Sequence, residues 1–166
     1  MAALLSIPVM IVLLIIQSVV VSRLPLLHGT ADIILLVLVA WALQEKVKHT
    51  WIWAIVAGLL VSLVSAAPYF SPLIAYLLIV GIARFLQRHV WQMPILAMFV
   101  ATIVGTLIQQ SLYYVVLQIH GTPLPLNDSI SLIILPSALL NLLLSLPFYA
   151  LITDLANWVY PVEVEI

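Results

Sequence analysis

Residues 30–50, TADIILLVLVAWALQEKVKHT, contain an acid at Asp32, then a short apolar run, and then the most polar turn of the chain. A helix that crosses a bilayer needs roughly 20 apolar residues, whereas this run covers only about residues 31–43. We therefore expect a tilted second helix that is entered by a partly buried loop. Asp32 follows Thr30 at the helix start, where a carboxylate accepts free backbone N–H groups, so we predict that it caps this helix.

The composition of the whole chain indicates a membrane protein. Of 166 residues, 66% are apolar and 7% are charged, against roughly 25% charged in a soluble domain. This balance excludes soluble globular and disordered proteins and predicts an all-α integral membrane protein. The net charge of −1 gives no basic surface for nucleic acid. The absence of cysteine excludes disulfides and thiolate metal sites.

Six apolar segments predict a single transmembrane domain, residues 1–166, built as a six-helix bundle. We expect Pro136 and Pro147 to bend the last helix. The predicted spans cover about residues 2–21, 31–43, 51–67, 71–86, 94–119 and 130–160.

Positive charge predicts the orientation of the bundle. Arg23 is the one cation between spans one and two, while four cations lie in loops that share the opposite side. That side is predicted to be cytoplasmic, together with both termini. The four cations are Lys46, Lys48, Arg84 and Arg88.

Polar side chains recur every four residues in spans five and six, and each needs a reason inside hydrocarbon. One interpretation is hydrogen bonding between helices; the other is a polar cavity that binds a small ligand. Gln109 and Gln110 point in different directions, so one of them is expected to face a partner or a cavity. The two predicted patches are Thr106, Gln110 and Tyr114, and Ser137, Asn141 and Ser145.

Small residues recur along span three at Ala54, Gly58 and Ser62. They favour close approach of helix backbones, either within the bundle or with a partner's helix.

No catalytic constellation is evident in the sequence. The histidines occur singly, without the H-E-x-x-H spacing of a zinc site, and five glycines are too few for a phosphate-binding loop. We expect no enzyme activity, no metal and no cofactor. The histidines are His28, His49, His89 and His120.

Stretches such as Gly29-Thr30-Ala31-Asp32 and Leu135-Pro136-Ser137-Ala138-Leu139-Leu140-Asn141 resemble the bacterial rod shape-determining protein MreD family, and the resemblance covers nearly the whole chain. The most telling are the loop that leads to Asp32 and the spacing of Pro136, Asn141 and Pro147. One departure is Ser62, since many family members carry an acid at the matching place. The other matching stretches are Gln17-Ser18, Arg23-Leu24-Pro25-Leu26-Leu27 and Ala57-Gly58-Leu59-Leu60, and Tyr149 follows Pro147 in the last span.

The resemblance implies a non-enzymatic scaffold of the cell-elongation machinery in the bacterial inner membrane. Such a protein binds MreC directly and acts with MreB, RodA and a class B penicillin-binding transpeptidase to regulate peptidoglycan synthesis and cell shape. The fold is similar to substrate-binding components of energy-coupling-factor transporters, so the alternative is a small-molecule-binding subunit of a vitamin-type transporter. The expected partner-contact residues are Arg23, His28, Asp32, Gly58 and Ser62.

Overall fold

The computed structural model describes residues 6–19, 28–65, 71–89, 93–121 and 125–160. About 87% of these residues are helical, and none of them forms a β-strand. The helices are α1 (Ser6–Val19), α2 (Ile33–Ala42), α3 (Thr50–Val64), α4 (Ser71–His89), α5 (Pro94–Ile119), α6 (Leu126–Asp128), a π-helix (Ser129–Ile134) and α7 (Leu135–Val159).

Three helical segments are long and apolar enough to span a membrane: α4, α5 and the continuous stretch Leu126–Val159. The helical content confirms the all-α class among the described residues, and the length and composition of these three segments support a membrane protein. The other three apolar helices, α1, α2 and α3, have 14, 10 and 15 residues. They are shorter than the roughly 20 residues of a full crossing, so the predicted total of six spans stays a prediction.

Helix α2 forms the centre of the bundle. All ten of its residues are buried, and it contacts α1, α3, α4, α5 and α7. At 1.5 Å per residue it is about 15 Å long, half of a hydrocarbon layer of roughly 30 Å. The expected short second helix is therefore present, and protein rather than lipid surrounds it.

The last helix changes its winding where Pro136 enters. Pro136 has no N–H to offer the carbonyl of Leu132, four residues earlier. The π-helix precedes this proline, and the Leu132 carbonyl accepts the backbone N–H of His28 at 3.1 Å. Pro147 lies inside α7, which continues to Val159. The missing N–H of Pro136 thus leaves the Leu132 carbonyl available as an acceptor for the segment that begins at His28.

Gly58 accounts for the close packing of α3 against α4. A Cβ atom at this position would lie 2.6 Å from the Cα of Leu73, which is inside van der Waals contact. Of the two interpretations of the small residues in span three, packing within the bundle accounts for Gly58.

Candidate functional site

An extended segment, residues 28–32, enters the bundle before α2 and lies against α7. The Thr30 N–H donates to Ser137 Oγ at 3.2 Å, and the Asp32 N–H donates to Asn141 Oδ1 at 2.7 Å. Backbone groups outside helices are tolerated at membrane depth only where protein satisfies them. Ser137 and Asn141 provide these acceptors for the segment, which we call the entry segment.

Gln17 of α1 forms hydrogen bonds with backbone groups at the end of the entry segment and the start of α2. Gln17 Nε2 donates to the Ala31 carbonyl at 2.7 Å, and Gln17 Oε1 accepts the Ile33 N–H at 2.7 Å. A primary amide has both a donor and an acceptor, so it can pair with a backbone N–H and a backbone carbonyl together. Gln17 thereby joins α1 to the start of α2.

Gly29 allows the entry segment to approach α7 closely. A Cβ atom on Gly29 would lie 2.6 Å from the backbone nitrogen of Ser137 and 2.7 Å from Cβ of Pro136. Backbone atoms cannot move aside as a flexible side chain can, so only glycine fits at this crossing.

The Asp32 carboxylate is the hub of the site. Its Oδ1 accepts the Leu35 N–H at 2.9 Å, which confirms the predicted helix cap. Its Oδ2 accepts the Tyr76 hydroxyl at 3.0 Å and the Gln109 amide at 2.6 Å. Charge-assisted hydrogen bonds are stronger than neutral ones, so this carboxylate ties α2 to α4 and α5.

The site lies at hydrocarbon depth when α4 spans the bilayer. Tyr76 is thirteen residues before His89 on α4, which corresponds to about 20 Å along the helix. The hydrocarbon layer is roughly 30 Å thick, so Asp32 is far from the helix end that carries Arg88. A polar network there must satisfy its own hydrogen bonds.

The two predicted polar patches meet at one hydrogen bond. Asn141 Nδ2 donates to Thr106 Oγ1 at 2.9 Å, and Thr106 donates to the Thr102 carbonyl at 2.8 Å. The Asn141 amide and the Thr106 hydroxyl therefore form their hydrogen bonds within the bundle. This supports hydrogen bonding between helices as their role.

Gln109 is the functional residue that sequence patterns did not single out. Its side chain is 4% exposed and contacts Asp32, whereas Gln110 is half-buried. The four-residue repeat includes Gln110 but passes over its neighbour. The adjacent pair of amides was the available signal, because one of the two had to point inward.

A cavity of about 290 Å³ lies beside the Asp32 carboxylate. A second cavity of about 130 Å³ lies between α5 and the π-helix, and Gln110 and Tyr113 line both. The larger cavity has polar groups from α1, the entry segment, the end of α3, α4 and α5. These are Gln17, Ser18, Thr30, Asp32, Ser65, Tyr76, Gln109, Gln110 and Tyr113.

The remaining predicted residues lie in different places. Arg23 is outside the described residues. His28 is exposed at the start of the entry segment, and Ser62 is half-buried on α3, where its hydroxyl has no hydrogen-bond partner. Tyr114 accepts from Gln118 near the end of α5, apart from Asp32.

Ser145, the last member of the second patch, bonds within its own helix. Its hydroxyl donates to the Leu142 carbonyl at 2.6 Å. Ser145 is therefore satisfied locally, whereas Ser137 and Asn141 bond to the entry segment.

No protein-family model, curated protein or solved structure matches this chain. In the part of the chain that the structure describes, no three His, Cys, Asp or Glu residues come together as a metal site.

Proposed function

We propose that this chain is a non-enzymatic membrane scaffold of the MreD type, which binds the membrane helix of MreC in the bacterial elongation complex. One observation carries the proposal. Residues from separate stretches of the resemblance, Gln17, Gly29, Asp32, Ser137 and Asn141, meet in a single network. The family-like residues therefore build this fold.

The chemistry of the network favours a structural role over catalysis. A catalytic base or nucleophile must reach a substrate atom. The Asp32 carboxylate accepts three hydrogen bonds from protein groups, and Asn141 uses both ends of its amide. These groups hold helices in place.

An apolar stripe on α3 is the proposed contact for the MreC helix. Ile52, Ile55, Leu59 and Leu63 recur at helical spacing, and each is 39% to 78% exposed. Ser62 lies beside this stripe, and His28 is exposed in the entry segment. Asp32 and Gly58 are used inside the bundle, so we assign them a supporting role. RodA, the transpeptidase and MreB are proposed partners within the same complex.

The proposed location is the bacterial inner membrane, with both termini in the cytoplasm. Lys46, Lys48, Arg84 and Arg88 lie in or beside the loops after α2 and α4, and such loops face the cytoplasm when they carry excess positive charge.

Copurification with MreC in mild detergent tests the proposal. We expect the unchanged chain to retain MreC and Leu63→Trp to lose most of it, because a bulky ring blocks close helix packing. Leu143→Trp on α7 is the matched control, since Leu143 is 74% exposed and Leu63 is 78% exposed. Failure of the folded, unchanged chain to retain MreC would contradict the scaffold proposal. Equal loss of MreC in both variants would show that the contact does not lie specifically on α3.

A second candidate function is small-molecule binding, and the cavity beside Asp32 favours it. Its volume of about 290 Å³ is near the lower end of ligand pockets, roughly 300–1,000 Å³. Thermal unfolding with a panel of vitamins tests it. A ligand that raises the unfolding temperature of the unchanged chain, and not of Gln110→Leu, would support uptake as the function.

A further inference from the structure

A groove of about 560 Å³ opens where α4 ends beside the loop after α2. Three cations line it, Lys48, Arg84 and Arg88, against one acid, Glu45. Among the described residues, every Lys and Arg lies at this end of the bundle. The groove is therefore a concentrated positive site.

Arg84 forms the floor of the groove. Its guanidinium donates to the Gln44 carbonyl at 3.3 Å and also to the Val47 carbonyl. A guanidinium has five N–H groups, so these contacts leave donors for an anion. Arg84 is half-buried, and its carbonyl partners hold the loop against α4.

Two aromatic side chains flank the cations. Trp51 is 48% exposed and Phe85 is 61% exposed, and both line the groove. Phe85 stacks on His89 with ring centroids 4.1 Å apart. Exposed aromatic rings beside Lys and Arg are typical of the membrane–water interface, so the groove lies at the level of lipid headgroups.

We propose that this groove binds the phosphate-bearing headgroup of an anionic phospholipid. The phosphate would lie among Lys48, Arg84 and Arg88, and the acyl chains would pass over Trp51 and Phe85. The charge of the groove, its exposed aromatic rims and its place at the end of a membrane-spanning helix favour a lipid over a soluble anion. The inference does not depend on the proposed binding of MreC.

Native mass spectrometry of the full chain in detergent tests the proposal, with phosphatidylglycerol and phosphatidylcholine as probes. We expect phosphatidylglycerol to bind more tightly than the neutral lipid. Each basic residue near an anionic lipid strengthens binding about fivefold, so Lys48→Gln and Arg88→Gln should each weaken it about fivefold. The double variant should lose about twenty-fivefold. Arg84 is left unchanged because it anchors the loop.

Lys46→Gln is the matched control. Lys46 belongs to the same loop, but its Nζ donates to Asn157 Oδ1 at 3.0 Å on α7, outside the groove. Its replacement should leave lipid affinity nearly unchanged. Equal affinity for the two lipids, or an equal loss in Lys46→Gln, would overturn the proposal. Displacement of the lipid by inorganic phosphate would assign the groove to a soluble anion instead.

Discussion

Asn141 accepts the backbone N–H of Asp32 at 2.7 Å, although the two residues are 109 positions apart. This bond joins the start of the central helix α2 to the first half of α7. The same amide donates to Thr106 on α5. One side chain therefore fixes the relative positions of α2, α5 and α7.

Replacement of Asp32 should separate its capping role from its bonds to other helices. Asp32→Ala removes the cap and leaves Tyr76 and Gln109 without their acceptor, so we expect a loss of about 3 kcal/mol in unfolding free energy. Asp32→Asn retains a good cap but presents an amide donor where Oδ2 accepted, so it should lose about 2 kcal/mol. Unfolding in detergent measures both. Equal losses in the two variants would show that the cap contributes nothing to stability, and no loss in Asp32→Asn would show that the carboxylate acts only as a cap.

Substitution of Gly29 by alanine should destabilise the bundle by about 2 kcal/mol, because the new Cβ overlaps backbone atoms of α7. Gly81→Ala is the control, since its Cβ would meet only Trp51 at 3.4 Å. Alanine is also the better helix former at that position. Thermal unfolding compares the two. A Gly29→Ala protein as stable as the original would contradict the close crossing.

Gln17→Leu should release the start of α2 from α1. The Ile33 N–H loses its acceptor at 2.7 Å, so its hydrogen exchange should become faster. The matched change is Ser18→Ala, because the Ser18 hydroxyl donates to the Leu14 carbonyl within α1. It should leave Ile33 protected. Mass-spectrometric hydrogen exchange on peptides that contain residues 30–36 measures this. Unchanged exchange in Gln17→Leu would refute the bridge.

A double-mutant cycle should detect the bond between Asp32 and Gln109. Hydrogen bonds to charged groups contribute about 1.5–3 kcal/mol, so we expect a coupling energy of about 2 kcal/mol. The parallel cycle between Asp32 and Gln110 should give a coupling energy near zero. Of these two glutamines, Gln109 is the one whose side chain donates to Asp32. Chemical unfolding of the single and double variants provides both values. Similar coupling for the two glutamines would reject the assignment of Gln109 as the inward amide.

The sequence predicts the helical class and the Asp32 cap, because hydrophobic runs and capping residues act locally. It does not predict that α2 is enclosed. In a membrane protein, an apolar helix surface can face lipid or protein equally well, so residues 33–42 carry no mark of their central position. Gln109 was missed for a related reason. Both glutamines fit an apolar helix, and only the location of Asp32 decides which one is buried.

The enclosed helix α2 has a consequence for biosynthesis. Its entry segment is made early, but its acceptors Ser137 and Asn141 are made more than 100 residues later. Ribosomes add about 5–20 residues per second. Roughly 5–20 seconds therefore pass between the synthesis of Asp32 and that of Asn141. During that interval, water or the insertion machinery must satisfy the entry segment. The final seating of α2 is therefore a late event, completed only after the last helix has left the ribosome.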